Sequence, residues 1–439
     1  MSAKRKPILG VLIVAFILSV MFIPTGAYTD VADGEWYTDA VNKWGDLIAE
    51  DDAVQPGKGV TRAEFAYILN QVLGFPEADP TFNDVADSPY KKAIGAFEAA
   101  GVVEGVGEGA YNPDGLLTRQ EFVIFLGKAL GLSQAPADKV PDFADLDEIF
   151  DGAKPWLYTM LEGGFVSGDP AGNFFPEIQL DRAQILAAIN NAAAEYIDED
   201  DAVVTLGEVM GNVIISAENV TLHDTIIRGN LIIAPGAGDS DLTLDSVHVE
   251  GSLVVRGGGA NSIIITGTTA IKQIIIDKVT GSDAVRITVE SEDATVELIV
   301  VGGSQDVVID GSVAAVFVDA EVEVTIAGEV GELQIAAETV VTVEGTVESL
   351  TVWAALVEII ITEDAAVESL TLSGAAVGAV VENNGTIHEL TVKAADAEID
   401  NNGVIESAEI PVEVVITGTP AEEEVTIEAG SINDVYVAG

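Results

Sequence analysis

The sequence predicts a multidomain protein in which a helical region built from a triplicated module is followed by an all-β parallel solenoid. Two repeats and a shift in composition carry that reading. LTRQEF at 117–122 recurs as VTRAEF at 60–65 and, with drift, as LDRAQI at 180–185. After about Asp200 a shorter repeat takes over: GNVII at 211, GNLII at 229 and GSLVV at 251, then SLTV at 349, SLTL at 369 and ELTV at 389. Aromatics, prolines and helical spacings crowd the first half of the 439 residues, whereas Val, Ile, Thr and Gly dominate the second.

The chain opens with Lys4, Arg5 and Lys6, an apolar run from Ile8 to Ile23, and Thr25 and Ala27 in a small-x-small pattern. This reads as a secretory signal over residues 1–27. The run is shorter than the ~20 residues of a spanning helix, and a retained N-terminal anchor is the alternative. With no cysteine, neither a lipid-modified cysteine nor a disulfide can form, so the exported fold must rest on burial alone.

Within the triplicated motif, Thr118 and Glu121 have the spacing of a capping box, Thr61 and Glu64 repeat it, and Asp181 with Gln184 supplies equivalent groups. Apolar residues follow at helical spacing: Phe65, Ile68, Leu69 and Val72, then Phe122, Phe125 and Leu126, then Ile185, Leu186 and Ile189. Capping explains the Thr and the Glu but not Arg62, Arg119 or Arg182. A cation at a helix N-terminus is mildly unfavourable against the macrodipole. The arginines are therefore the candidate functional groups, with surface ion pairing to nearby carboxylates as the alternative.

Upstream of the second cap come FNDV at 82–85, GVVEG at 101–105 and Tyr111-Asn112-Pro113. Together with the caps, these resemble the S-layer homology family, whose modules hold bacterial proteins to cell-wall polysaccharide. Three modules are bounded at 28–80, 81–137 and 138–199. The resemblance implies an α-helical pseudo-trimer with grooves between its lobes that receive a pyruvylated, negatively charged secondary cell-wall polysaccharide. It also implies a bacterial cell-surface location and allows self-assembly there. Carried over copy by copy, the implied binding residues are Asp30, Trp36 and Arg62 in the first module. The second supplies Asp84 and Arg119, with Pro89 at the tryptophan's place and Tyr90 after it. The third supplies Asp145 and Arg182, with Trp156 displaced by a longer opening.

For residues 200–439, one apolar anchor per turn gives Val213, Leu231, Leu253, Ile274, Leu298, Phe317, Leu333, Leu350, Leu370, Leu390 and Ala408. Short alternating strands lie between them, bounded by corners such as ENNGT at 382–386 and DNNGV at 400–404. A parallel β-solenoid satisfies this pattern, with apolar ladders inside and charge outside. A β-sandwich is the competing fold, disfavoured by the even period and the scarcity of two-residue hairpin signals.

The formal charge is −54, and −57 once residues 1–27 are removed, which disfavours nucleic acid and anionic membrane as partners. A rod carrying a polysaccharide lyase or hydrolase site is the alternative to a non-catalytic display protein. Its candidate residues are Asp239, Asp241 and Asp245 with Arg228, Arg256, His223 and His248, and their clustering would favour the enzyme. Downstream of Arg286 the only lysine or arginine is Lys393. No cofactor is expected. Calcium on Asp239 and Asp241 is a possibility, although no aspartate-glycine ligand repeat accompanies them.

Overall fold

The computed structural model describes residues 28–418 apart from 137, 282 and 413, together with 426–427 and 436–437. The expected signal at 1–27 lies outside the described residues. Six α-helices come first: α1 (Thr38–Trp44), α2 (Arg62–Leu73), α3 (Lys91–Ala99), α4 (Arg119–Ala129), α5 (Lys154–Glu162) and α6 (Arg182–Ala192). Each copy of the motif thus contributes an opening helix and a capped helix.

The caps form as their residues dictate. Thr61, Thr118 and Asp181 each accept from the backbone N–H three residues on. The reciprocal bond completes the box for Glu121 and Gln184. Glu64 departs from that expectation because its carboxylate is taken by Arg182. The residues just before the caps join the copies in a closed cycle of backbone bonds. Val60 N–H donates to the Leu180 carbonyl, Leu180 to Leu117, and Leu117 to Val60, at 2.9 to 3.0 Å. Phe65, Phe122, Phe125, Ile185 and their neighbours fill the shared core beneath.

From Glu195 onward, every pairing among the described strands is parallel and joins one turn to the next, which is the solenoid and not the sandwich. A typical turn is a seven-residue strand followed by a strand of three or four. Along Thr346–Val352 the buried residues are Val347, Leu350 and Val352, so the alternation skips once and the strand turns a corner in its middle. One inner ladder runs Val213, Leu231, Leu253, Ile274, Ile299, Val316, Leu333, Leu350, Leu370, Leu390, Ala408. The same backbone register continues to Glu195 before and to residue 427 after. That makes about twelve turns, a rod on the order of 60 Å at ~4.8 Å per rung.

Two anchors differ from expectation. Leu298 and Phe317 are half-exposed on the outer face, and their neighbours Ile299 and Val316 point inward. In ELIVV and AVFV both parities are apolar, so the hydrophobic pattern leaves the register open by one residue.

The helical region sits on a side of the rod. Ile214, Ile232 and Val254, which face away from the solenoid interior, are buried in the helical core. Arg256 seals the joint. Its Nη1 donates to the carbonyls of Lys128 (2.7 Å) and Ala129 (2.6 Å) at the C-terminus of α4, where the helix dipole favours a cation. Its guanidinium also lies 5.0 Å from the centre of the Phe75 ring. Tyr196 adds a bond from its hydroxyl to the Val72 carbonyl at the end of α2 (2.9 Å).

Candidate functional site

Each cap arginine crosses a seam between copies. Arg62 donates from Nε to the Tyr111 carbonyl (2.9 Å), pairs with Glu121, and lies between the rings of Tyr111 and Phe125, 4.7 and 4.9 Å from their centres. Arg119 donates to the carbonyls of Phe174 (2.7 Å) and Ser167 (2.6 Å) and stacks on the Phe174 ring. Arg182 closes the cycle through the Val54 carbonyl (2.9 Å), Glu64 (2.7 Å) and Glu50 (2.9 Å). Arg62 and Arg182 are 4% and 3% exposed, whereas Arg119 is half-buried and, among the described residues, is bonded to carbonyls with the charges of Asp145 and Asp169 acting on it from further off.

Asp30, Asp84 and Asp145 each accept two consecutive backbone N–H groups: Val54 and Gln55, Tyr111 and Asn112, Phe174 and Phe175. The second residue of each pair is left-handed, with φ of 54°, 61° and 58°. The aspartates therefore fix the turn that presents a carbonyl to the arginine of the preceding copy. At Asp84 burial pushes the pKa up, but the N–H donors of Tyr111 and Asn112 more than offset it, and the carboxyl stays below its usual value. Sequence spacing put these six residues at equivalent places in the three copies but could not say that they bond to the protein itself.

The aromatic candidates divide. Trp36 is 67% exposed and meets Tyr37 edge-on. Tyr90 is half-buried against Tyr67, ring centres 5.0 Å apart. Burial and the charge of Glu64 raise its hydroxyl pKa. Trp156 is a core residue, packed where a Cβ on Gly127 would stand 2.5 Å from its ring. The most exposed aromatic described in the third copy is Phe150, 62% exposed against 43% for Phe175, and sequence reasoning missed it. It precedes α5 much as Trp36 precedes α1, a signal that a search for tryptophan alone passes over.

Phe150 lines a groove of about 710 Å³ at the seam between the second and third copies, with Gln120, Ile124, Lys154 and five carboxylates. Of these carboxylates, Glu121 is paired with Arg62, and Asp151 with Lys154 at 2.7 Å. Arg119 adjoins the lining residue Gln120.

On the rod, the alternative catalytic set is dispersed. Arg228 bridges Glu208 and Glu250, Arg256 is buried at α4, and Asp245 meets His223 Nδ1 at 3.1 Å. Asp241 and His248 are exposed. Asp239 accepts from Lys278 Nζ at 2.5 Å, and that ammonium also donates to the carbonyls of Gly258 and Asp283. A lysine thus holds the carboxylate proposed for calcium. Among the described residues, no group of three or more His, Asp or Glu side chains is arranged to hold a metal ion.

Residues 81–123 match the S-layer homology domain. An S-layer protein of Bacillus thuringiensis subsp. finitimus is 29% identical over 214 residues, 46% of this chain and 25% of that protein. A cellulosome-anchoring protein of Acetivibrio thermocellus is 30% identical over 149 residues, 31% of this chain and 33% of its own length. An amylopullulanase of Thermoanaerobacterium thermosulfurigenes is 31% identical over 145 residues, covering 32% of this chain and 8% of that enzyme. The chain spans about a quarter of the length of the S-layer proteins it matches. With this domain at 81–123 and such relatives, the chain is a cell-surface, cell-wall-associated protein that carries an S-layer homology domain followed by a β-solenoid.

Proposed function

We propose that residues 28–199 are three S-layer homology modules packed as a pseudo-trimer, and that their grooves grip a pyruvylated secondary cell-wall polysaccharide. Residues 200–439 then project as a non-catalytic structural or adhesive rod. The observation that carries the reading is the cyclic seam, in which every copy contributes an arginine and an aspartate-pinned turn, with an aromatic at or beside each seam. Dispersal of the rod's candidate catalytic groups supports the non-enzymatic assignment.

The seams are not chemically equal. Arg62 and Arg182 are already neutralised by glutamates, whereas Arg119 meets only neutral carbonyls and keeps further N–H donors. Arg119 is the cap arginine whose planar fork suits a pyruvyl carboxylate, with the nearby groove at Phe150 as the place for a sugar ring. Trp36 offers the same platform at the first copy's opening.

Competition tests this. Wall fragments should retain the full chain, and soluble pyruvylated polysaccharide should displace it far better than the same polymer stripped of its pyruvyl groups. Arg119→Ala should erase that preference. Equal displacement by the two polymers would end the pyruvyl assignment.

A further inference from the structure

On the outer face of the rod, one column of ionisable residues runs across four rungs. Ile387 pairs with Val367 on one side and Ile405 on the other, and Val367 pairs with Val347. The residues that follow them, Glu348, Glu368, His388 and Glu406, therefore stand on four successive rungs. The His388 ring fits between two of the glutamates, with Nε2 3.7 Å from Glu368 and Nδ1 3.0 Å from Glu406. Its carbonyl also accepts from Ser407 Oγ at 3.1 Å.

Both neighbours are carboxylates, which accept and do not donate. A protonated imidazole donates an N–H to Glu406 and sets its charge beside Glu368, which at 3.7 Å is an ion pair beyond hydrogen-bond reach, whereas a neutral ring has a single N–H and must turn its other lone pair toward a carboxylate. We propose that His388 is a proton-operated clamp on the rod, which adds an ionic tie across the Ala366–Leu372, Thr386–Val392 and Val404–Glu409 strands when protonated and loses it when neutral, on top of the parallel backbone pairing that joins them in either state.

The surrounding charges favour the protonated form. On its own strand the other charged group is Glu389, with Lys393 just beyond the far end; the Ala366–Leu372 strand brings Glu368, the Val404–Glu409 strand brings Glu406 and Glu409, and Glu348 lies a rung further. The Glu406 hydrogen bond, against the opposing effect of partial burial, and the charges of Glu406 and Glu368 hold the imidazolium above its ordinary value of 6.5. A raised folded-state pKa means the stabilisation is complete below 6.5 and is lost as pH rises through the folded value. The later turns of the rod therefore tighten in mildly acidic surroundings and loosen in alkaline ones. The two ring nitrogens face opposite ways, so the trio is a staple and not a convergent metal site.

The chain has three histidines, which makes the test direct. In the full chain labelled with ¹³C-histidine, the His388 signal is the one that His388→Gln removes. Its titration midpoint should lie above 6.5 and should fall in Glu406→Gln. In wild type, hydrogen-exchange protection of amides 386–392, corrected for intrinsic rates, should drop between about pH 5.5 and about pH 8.5, by about tenfold for each unit the midpoint exceeds its unfolded value. A midpoint at or below 6.5, a midpoint that Glu406→Gln leaves in place, or protection independent of pH would each overturn the proposal.

Discussion

Replacing Arg62 by alanine separates a structural staple from a free ligand-binding group. Read from the sequence alone, the arginine is dispensable for folding, because capping does not require it. In the structure its guanidinium is buried and bonded across the seam to the Tyr111 carbonyl and Glu121. Truncation leaves the Tyr111 carbonyl without that donor, at about 1 to 3 kcal/mol. It also removes a cation from between two aromatic rings, at about 0.5 to 2 kcal/mol each. These costs overlap, and Glu121, the charge left behind, is partly exposed and can be solvated, so about 2 to 4 kcal/mol is expected in all. For a unit of this size that lowers the melting midpoint by roughly 10 °C. The assay is a near-ultraviolet circular dichroism melt of the full chain, which follows the aromatic-rich helical region, with Arg62→Lys as the control that keeps the charge but loses the fork. Arg119→Ala, with two neutral carbonyl partners and partial exposure, should cost only about 1 to 2 kcal/mol. If Arg62→Ala melted like wild type, the seam would not depend on its arginine and the staple argument would fail.

Thr118→Ala removes a complete capping box and should cost roughly 1 kcal/mol in the same melt without touching the seam bonds of Arg119. Leu370→Asp places a charge in the dry interior between Leu350 and Leu390 and should unfold several rungs together, seen as new proteolytic cuts on both sides of the substitution. Hydrogen bonds from Lys58 and Arg182 and their charges pull Glu50 down to about 2, so the seam between the first and third copies should weaken as pH falls from the ordinary 4.5 toward 2. Glu50→Gln should remove that part of an acid titration. Because outward carboxylates on adjacent rungs lie within the Debye length of roughly 8 Å, the rod's melting midpoint should rise with NaCl, and a flat response would show the charges to be too well spaced to matter.

What the sequence conveyed depended on how local the signal was. Caps are written within four residues: all three N-cap bonds form, and the reciprocal bond fails only where Arg182 takes the Glu64 carboxylate. The rung repeat returns often enough that nine of eleven anchors fall in the inner ladder, and Leu350, Leu370 and Leu390 stack directly. The register failed where apolar residues occupy both faces, at Leu298 and Phe317. Long-range partnerships were illegible: nothing near Arg256 hints that it serves the end of α4, 127 residues away, or that Lys278 holds Asp239. The same limit explains why the spacing found Arg62, Arg119 and Arg182 but not the carbonyls they hold, and why Phe150 went unnoticed beside Trp156.

The most direct test of the account is sedimentation of the full chain with purified wall fragments before and after chemical removal of their secondary polysaccharide. The chain should pellet with intact fragments and remain in solution with stripped peptidoglycan, and Trp36→Ala combined with Arg119→Ala should shift it to the supernatant even with intact fragments. Equal pelleting on intact and stripped walls, or full retention of the double variant, would contradict an anchor built on polysaccharide grooves.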